Sequence, residues 1–492
     1  FYHERNSTNN ARKSSLTREH IMKSLYQKRS PHLIVFTITT LLFLVMVHDA
    51  MARSSAPPIV TTDEVVSLET SLVQTKVLKG SDGKVSMDIS LIASDLPPDN
   101  RAITQPVDLI IVLDRSGSMN GQKINDARTA MLRLMDHLTG ADRLGIVSYA
   151  NNVVVHSPLV SMNYPNVSRL RRLVANIGAG GGTNLGSGLH TGVDMFSSSP
   201  DYGRQRKLIL ISDGLANQGV TYPRRLGMMA SNGPEHNFTV SSVGVGYDFN
   251  EQLMTTIADY GGGSYYFLED PNHFAWIFQK EFDSARRVAA SSLEIRIQLM
   301  DGVSLLSGGG YPIKMEDNVA VIRPGDLLAG QKRSFFLTYQ VPTIKERQFQ
   351  LGNIQVRYNH QGRAKQRDHT LNYAISCVSS SAEVVGSYDK EAWGQQVLKE
   401  DYNQMRSKVA EAVKEGKKQE ALNSIAEYEQ RNRKLNSQVG SSTVSDNLDH
   451  DVQQLKESVE DTFVGAPAAV MQKQKRQSKA LQYESYKIRR DK

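Results

Sequence analysis

Val107-Asp108-Leu109-Ile110-Ile111-Val112-Leu113-Asp114-Arg115-Ser116-Gly117-Ser118-Met119 carries an almost unbroken apolar run into a polar loop. The run 107–113 does not alternate as a half-exposed strand would, so it reads as a strand buried on both faces. Such strands belong to parallel sheets with helices on either side. Asp114, Ser116 and Ser118 then lie on the loop leaving its carboxyl end, one carboxylate and two hydroxyls at spacing i, i+2, i+4. Small oxygen donors of this kind suit a hard divalent cation such as Mg²⁺.

Working outward, residues 106–287 alternate between strand and helix patterns. Ala127, Met131, Leu134, Met135 and Leu138 recur at helical spacing within 124–138. Strands are expected at 144–149, 153–159, 208–212, 238–245 and 264–268. Helices are expected at 167–177, 185–196, 249–260 and 273–287, with Trp276 anchoring the last one to the sheet and Met131, Met135, Met228 and Met229 filling the core. The fold class that follows is an α/β doubly wound (Rossmann-like) domain. Loops at the carboxyl ends of such strands converge on one crevice. The glycine-rich stretch Gly178-Ala179-Gly180-Gly181-Gly182-Thr183-Asn184-Leu185 brings Thr183 there, and Leu208-Ile209-Leu210-Ile211-Ser212-Asp213-Gly214 brings Asp213. Asp114, Ser116, Ser118, Thr183 and Asp213 thus form a candidate site for Mg²⁺, Mn²⁺ or Ca²⁺. The glycine run lacks the Gly-Lys-Ser/Thr ending of a phosphate loop, and its glycines are better explained by close passage of the backbone.

The flanks have a different texture. Residues 288–378 show strand periodicity without helices, at 293–299, 319–322, 333–341, 348–358 and 369–376, and read as a β-sandwich. Residues 53–105 hold a linker and two strands around Gly80-Ser81-Asp82-Gly83, and are expected to belong to the same sandwich. Residues 388–492 read as a helical region with a turn at Gly416. From Lys473 onward there are eight basic and two acidic side chains. That basic tail reads as a solvated end, with contact to anionic lipid as the alternative.

The chain has 492 residues, 39% hydrophobic and 22% charged, enough for two or three domains with real cores. A net charge of +7, concentrated at the ends, argues against a nucleic-acid binder. Cys377 is the single cysteine, which excludes an internal disulfide or a Cys-rich zinc module and fits a small buried hydrophobe. Residues 33–47 are apolar and uncharged, preceded by Lys23, Lys28 and Arg29 and followed by Ala50-Met51-Ala52, the layout of a secretory signal. Residues 1–52 are therefore read as an upstream extension plus signal peptide, with Met22 as a candidate start. The alternative is an uncleaved membrane anchor at 33–47. Either way the protein is expected to be exported, to the cell envelope or the exterior.

The three segments, in order and spacing, resemble the metal-ion-dependent adhesion site (MIDAS) of the von Willebrand factor A domain family, over roughly 106–287. The whole order of segments is similar to bacterial secreted or envelope A-domain proteins and, more distantly, to inter-alpha-trypsin inhibitor heavy chains. The resemblance implies that Ser116 and Ser118 bind the cation directly, and Asp114, Thr183 and Asp213 directly or through water. It implies that an Asp or Glu from a protein ligand completes the shell, and that the closing helix shifts on engagement. Selectivity is expected from Asn151-Asn152 and Asn217-Gln218-Gly219. No Gly-x-Ser-x-Gly elbow or His-Glu-x-x-His motif is present, so a binding protein is expected and not an enzyme. The alternatives are a regulatory or assembly subunit of a larger machine and, last, a metal-dependent enzyme.

Overall fold

The computed structural model describes residues 59–61, 65–95, 105–198, 201 and 203–490. These belong to one compact unit spanning 55–492. The expected signal at 33–47 and the extension 1–52 lie outside the described residues.

Four short strands come first: β1 (Ile59–Thr61), β2 (Val66–Leu72), β3 (Lys76–Leu78) and β4 (Lys84–Ala93). Strand β2 pairs antiparallel with both β1 and β4. The first of the two strands expected around Gly80–Gly83 is broken into β2 and β3, because Val73 turns into the core of the helical region and β3 leaves for another sheet.

A six-stranded sheet follows. It contains β5 (Val107–Asp114), β6 (Arg143–Tyr149), β7 (Val153–Ser161), β8 (Gln205–Ser212), β9 (Thr239–Val245) and β10 (Gly262–Leu268). The order is β10-β9-β8-β5-β6-β7, and only β7 runs antiparallel. On one face lie α1 (Gln122–His137) and α2 (Tyr164–Ala175). On the other lie α3 (Leu185–Ser197), α4 (Pro223–Ala230) and α5 (Glu251–Tyr260). The closing helix α6 (Phe274–Arg286) returns to the first face. Every residue of β5 and β8 is buried, as expected for central strands covered on both sides. Two expectations fail here. Trp276 is 52% exposed, and α6 is anchored by Phe274, Phe278 and Phe282. Met228 is 59% exposed, because α4 turns that position outward while Leu226 and Ala230 face the sheet.

The remaining strands are β11 (Val288–Gln298), β12 (Ser304–Gly308), β13 (Ile313–Glu316), β14 (Val319–Leu328), β15 (Lys332–Gln340), β16 (Arg347–Gln350), β17 (Ile354–His360), β18 (Arg363–His369) and β19 (Ala374–Val378). Strand β15 pairs with β4 along nine positions, Lys332 to Gln340 opposite Ile92 to Lys84, so strands on both sides of the α/β segment share one sheet. A second antiparallel sheet, β13-β14-β11-β17-β18, packs against it through Ile89, Leu91, Leu337, Leu293, Ile295 and Ile354. A small third sheet, β16-β19-β3, holds the buried Cys377. The run 348–358 is thus two strands in two sheets. Strand β18, Arg-Ala-Lys-Gln-Arg-Asp-His, escaped the hydrophobic pattern because it is a charged edge strand.

The chain ends in a helical region: α7 (Lys390–Gln396), a wide π-helical turn at Val397–Tyr402, α8 (Asn403–Lys414), α9 (Lys418–Val439), α10 (Val452–Thr462) and α11 (Pro467–Arg489). Gly416 makes the turn between α8 and α9. Among the described residues, no helix is long and apolar enough to cross a membrane.

Candidate metal centre

Parallel pairing sets Leu113 beside Ile211 and Asp114 beside Tyr149, so the loops after β5 and β8 leave the sheet at one level. Asp114 is fully buried and Asp213 nearly so, at 1% exposure. Both Asp114 oxygens are engaged: the Ser116 N–H donates to Oδ1 at 2.8 Å and Ser212 Oγ donates to Oδ2 at 2.8 Å. Burial pushes the Asp114 carboxyl above its usual range, against the lowering effect of those hydrogen bonds. Ser118 Oγ donates to Asp213 Oδ1 at 2.7 Å and lies 3.1 Å from Ser116 Oγ. Gly214 sits beside this group: a Cβ there would come 3.3 Å from Ser118 Oγ and 3.9 Å from Thr183 Oγ1. The oxygens of all five sequence-predicted residues therefore gather at one rim, and Gly214 keeps the space among them clear.

The glycine-rich loop is tied down by its backbone. Gly117 N–H donates to Gly181 O at 2.9 Å and Gly180 N–H to Arg115 O at 2.7 Å, which locks the loop to the Asp114–Ser118 segment. Gly181 has φ +87°, a conformation that favours glycine. Asn151 Oδ1 accepts from Gly182 N–H at 2.6 Å, and Asn217 Oδ1 accepts from Thr183 N–H at 3.0 Å. These two amides, expected to confer selectivity, hold Thr183 in place. Asn184 Oδ1 then caps α3 by accepting from Ser187 N–H.

One residue was missed in the sequence. Lys123, in the first turn of α1, donates from Nζ to Asp213 Oδ2 at 2.5 Å, with its side chain 29% exposed. An ammonium group already sits on the carboxylate that a cation would use. The only signal for it was a lysine placed shortly after the Asp-x-Ser-x-Ser loop. Two buried carboxylates and three hydroxyls, cleared by a glycine and partly neutralised by a stand-in cation, fit a hard divalent ion. Among the described residues no cluster of three or more His, Cys, Asp or Glu is placed to hold a metal, so such a site depends on the hydroxyls.

Residues 108–280 match the von Willebrand factor type A domain family. The chain carries a von Willebrand factor A (VWA) domain. An uncharacterized protein of Synechocystis is 25% identical over 265 residues, 52% of this chain and 62% of that protein. Human inter-alpha-trypsin inhibitor heavy chain H4 is 28% identical over 166 residues, 32% of this chain and 18% of that one. The chain thus matches less than two thirds of the length of either relative. A von Willebrand factor type A structure from Catenulispora acidiphila shares the fold over 87% of this chain and 99% of its own, with a TM-score of 0.62 at 17% identity. The ArnB paralog VWA2 from Sulfolobus acidocaldarius does so over 85% and 99%, with a TM-score of 0.51 at 18% identity.

The VWA domain is also where the basic tail goes, and here the solvated-end reading is corrected. Lys475 pairs with Asp248 at 2.8 Å, Lys479 with Glu251 at 3.4 Å, and Arg489 with Asp259 at 3.0 Å. Arg490 is buried, pairs with Asp259 and stacks 3.4 Å over the Tyr311 ring. Tyr486 enters the VWA core, where its hydroxyl accepts from Tyr265 N–H at 2.9 Å. The tail is basic because the surface it covers is acidic.

Proposed function

We propose that the VWA domain docks a protein partner through a divalent cation held by Asp114, Ser116, Ser118, Thr183 and Asp213. The observation that carries this reading is the gathering of oxygens from three separate loops around the space left by Gly214. Mg²⁺ is the ion of choice for so small a set of hard donors, with Mn²⁺ or Ca²⁺ as substitutes. With few charges around it the ion stays electrophilic, and an Asp or Glu of the partner completes its shell. Binding rather than catalysis is the role, because the motifs supply neither a nucleophile nor a general base. The apolar segment 33–47 supports export, to the envelope or the exterior. The same reading divides the chain into a VWA domain at 106–287, a sandwich drawn from 53–105 and 288–378, and a helical region at 388–492. Affinity capture on the chain from Arg53 onward, with Mg²⁺ and with EDTA, tests the function. Partners retained with Mg²⁺ should be released by EDTA and absent with Asp114→Ala. A partner that survives both treatments would refute cation-mediated docking.

A further inference from the structure

The amides expected to read a partner at the cation rim are already spent. Asn151 Oδ1 accepts from Gly182 N–H and from Gln218 Nε2, and Asn217 Oδ1 accepts from Thr183 N–H. Selectivity has to come from other side chains, and the loop between β8 and α4 presents them. Its middle is pinned to the turn that carries Thr183. The N–H groups of Asn217 and Gln218 both donate to Thr183 O, at 3.2 and 3.4 Å. A Cβ on Gly219 would meet Asn184 Oδ1 at 2.6 Å, and one on Gly186 would meet Val220 O at 2.9 Å, so loop and turn lie in direct contact. A backbone held this closely presents its outward side chains with little ordering cost left to meet on binding.

What the loop turns outward is apolar and basic. Leu215, next to Gly214, is 59% exposed, and Tyr222, two residues past Val220, is 71% exposed. A single exposed apolar side chain means little. These two bracket a loop that meets the cation set at both Gly214 and Thr183. Arg224 and Arg225 follow in the first turn of α4, both exposed, and neither guanidinium makes an ion pair or hydrogen bond with another described residue. The helix dipole disfavours positive charge in that turn, so the two arginines do not serve the helix. The neighbouring loops offer no free carboxylate to balance them. Asp248 pairs with Lys475, Glu269 accepts from Tyr247 and pairs with Arg476, and Asp270 accepts from Asn272 N–H. The unpaired charge beside the rim is therefore positive, which favours an acidic partner.

We propose that Leu215, Tyr222, Arg224 and Arg225 are the specificity surface of the rim, and that it takes a protein segment combining acidic residues with a large apolar side chain. One carboxylate of that segment goes to the cation, the apolar side chain rests on Leu215 and Tyr222, and a further carboxylate meets Arg224 and Arg225. The inference rests on the cation-mediated docking proposed above and adds what the partner must carry besides its metal-binding carboxylate.

Selection from a random dodecapeptide display library on the immobilised full chain in Mg²⁺, with elution by EDTA, tests it. The eluted peptides should pair acidic residues with a large apolar one. The double variant Leu215→Ser/Tyr222→Ser should lose the apolar preference and keep the acidic one, and Arg224→Gln/Arg225→Gln should recover fewer peptides with a second acid. A selected peptide, made synthetically, should bind each double variant about tenfold more weakly, with the Mg²⁺ affinity and the melting temperature unchanged, since all four side chains are exposed. Acidic peptides eluted by EDTA without an apolar preference overturn the proposal and leave cation-mediated docking standing. The same preferences on both double variants do likewise. If EDTA elutes no acidic peptides at all, the docking reading falls and this proposal with it.

Discussion

Asp213 is shared between Ser118 and Lys123, and this sharing would govern the affinity of the proposed cation. A divalent ion must compete with the Lys123 ammonium, which is partly exposed while the Asp213 side chain is buried, so the pair is worth about 1 kcal/mol or more. Lys123→Met should therefore tighten Mg²⁺ roughly fivefold, read by calorimetry. An unchanged or weaker affinity would show that Lys123 does not oppose the ion. Gly188 makes a second point. A Cβ there would lie 2.5 Å from the Tyr149 ring, whose hydroxyl donates to Ile211 O at 2.7 Å behind the metal rim. Gly188→Ala should cost about 1–3 kcal/mol in denaturant unfolding, the usual penalty for overpacking. At this scale the five oxygen donors were legible, because strand ends of a doubly wound sheet converge whatever their side chains. Lys123 was not, since a lysine in a first helical turn ordinarily faces water.

The element that sequence reading missed most is α11. The composition of the tail that it carries, eight basic residues against two acidic from Lys473 to the end of the sequence, says nothing about Asp248, Glu251 and Asp259, which come from a distant stretch and receive it. Tyr486 gives its docking an apolar anchor, and Tyr486→Ala should destabilise the VWA domain by about 3–5 kcal/mol, the range for a buried aromatic. If the loss is negligible, α11 does not pack as described. Glu251 offers a pH signature. Burial lifts its carboxyl from 4.5 to about 7, although Lys479, Tyr265 and Lys414 pull the other way. The folded state therefore holds this proton more tightly than the unfolded one. Its stabilising contribution is complete below 4.5 and declines as pH rises toward 7. Glu251→Gln should flatten the stability profile in that window, and a profile as steep as that of the unmodified protein would contradict the assignment.

Over the whole molecule, sequence periodicity gave the class of each region and, from the shared strand character of 53–105 and 288–378, the expectation that the two belong to one sandwich. The pairing of β4 with β15 joins them, while β2 and β4 also pair as the turn between them suggests. The register of that long-range pairing is invisible to local pattern. The same long-range pairing makes the VWA sheet, the antiparallel sheets and the helices one unit, 55–492, with the cation rim at the carboxyl ends of β5 and β8. The most direct measurement is calorimetric titration of Mg²⁺ into the metal-free full chain, alongside Ser118→Ala and Asp114→Ala. One site is expected in the unmodified chain, at least tenfold weaker binding in Ser118→Ala, whose side chain is exposed, and none in Asp114→Ala, with all three chains folded. Equal Mg²⁺ binding by all three chains would contradict it.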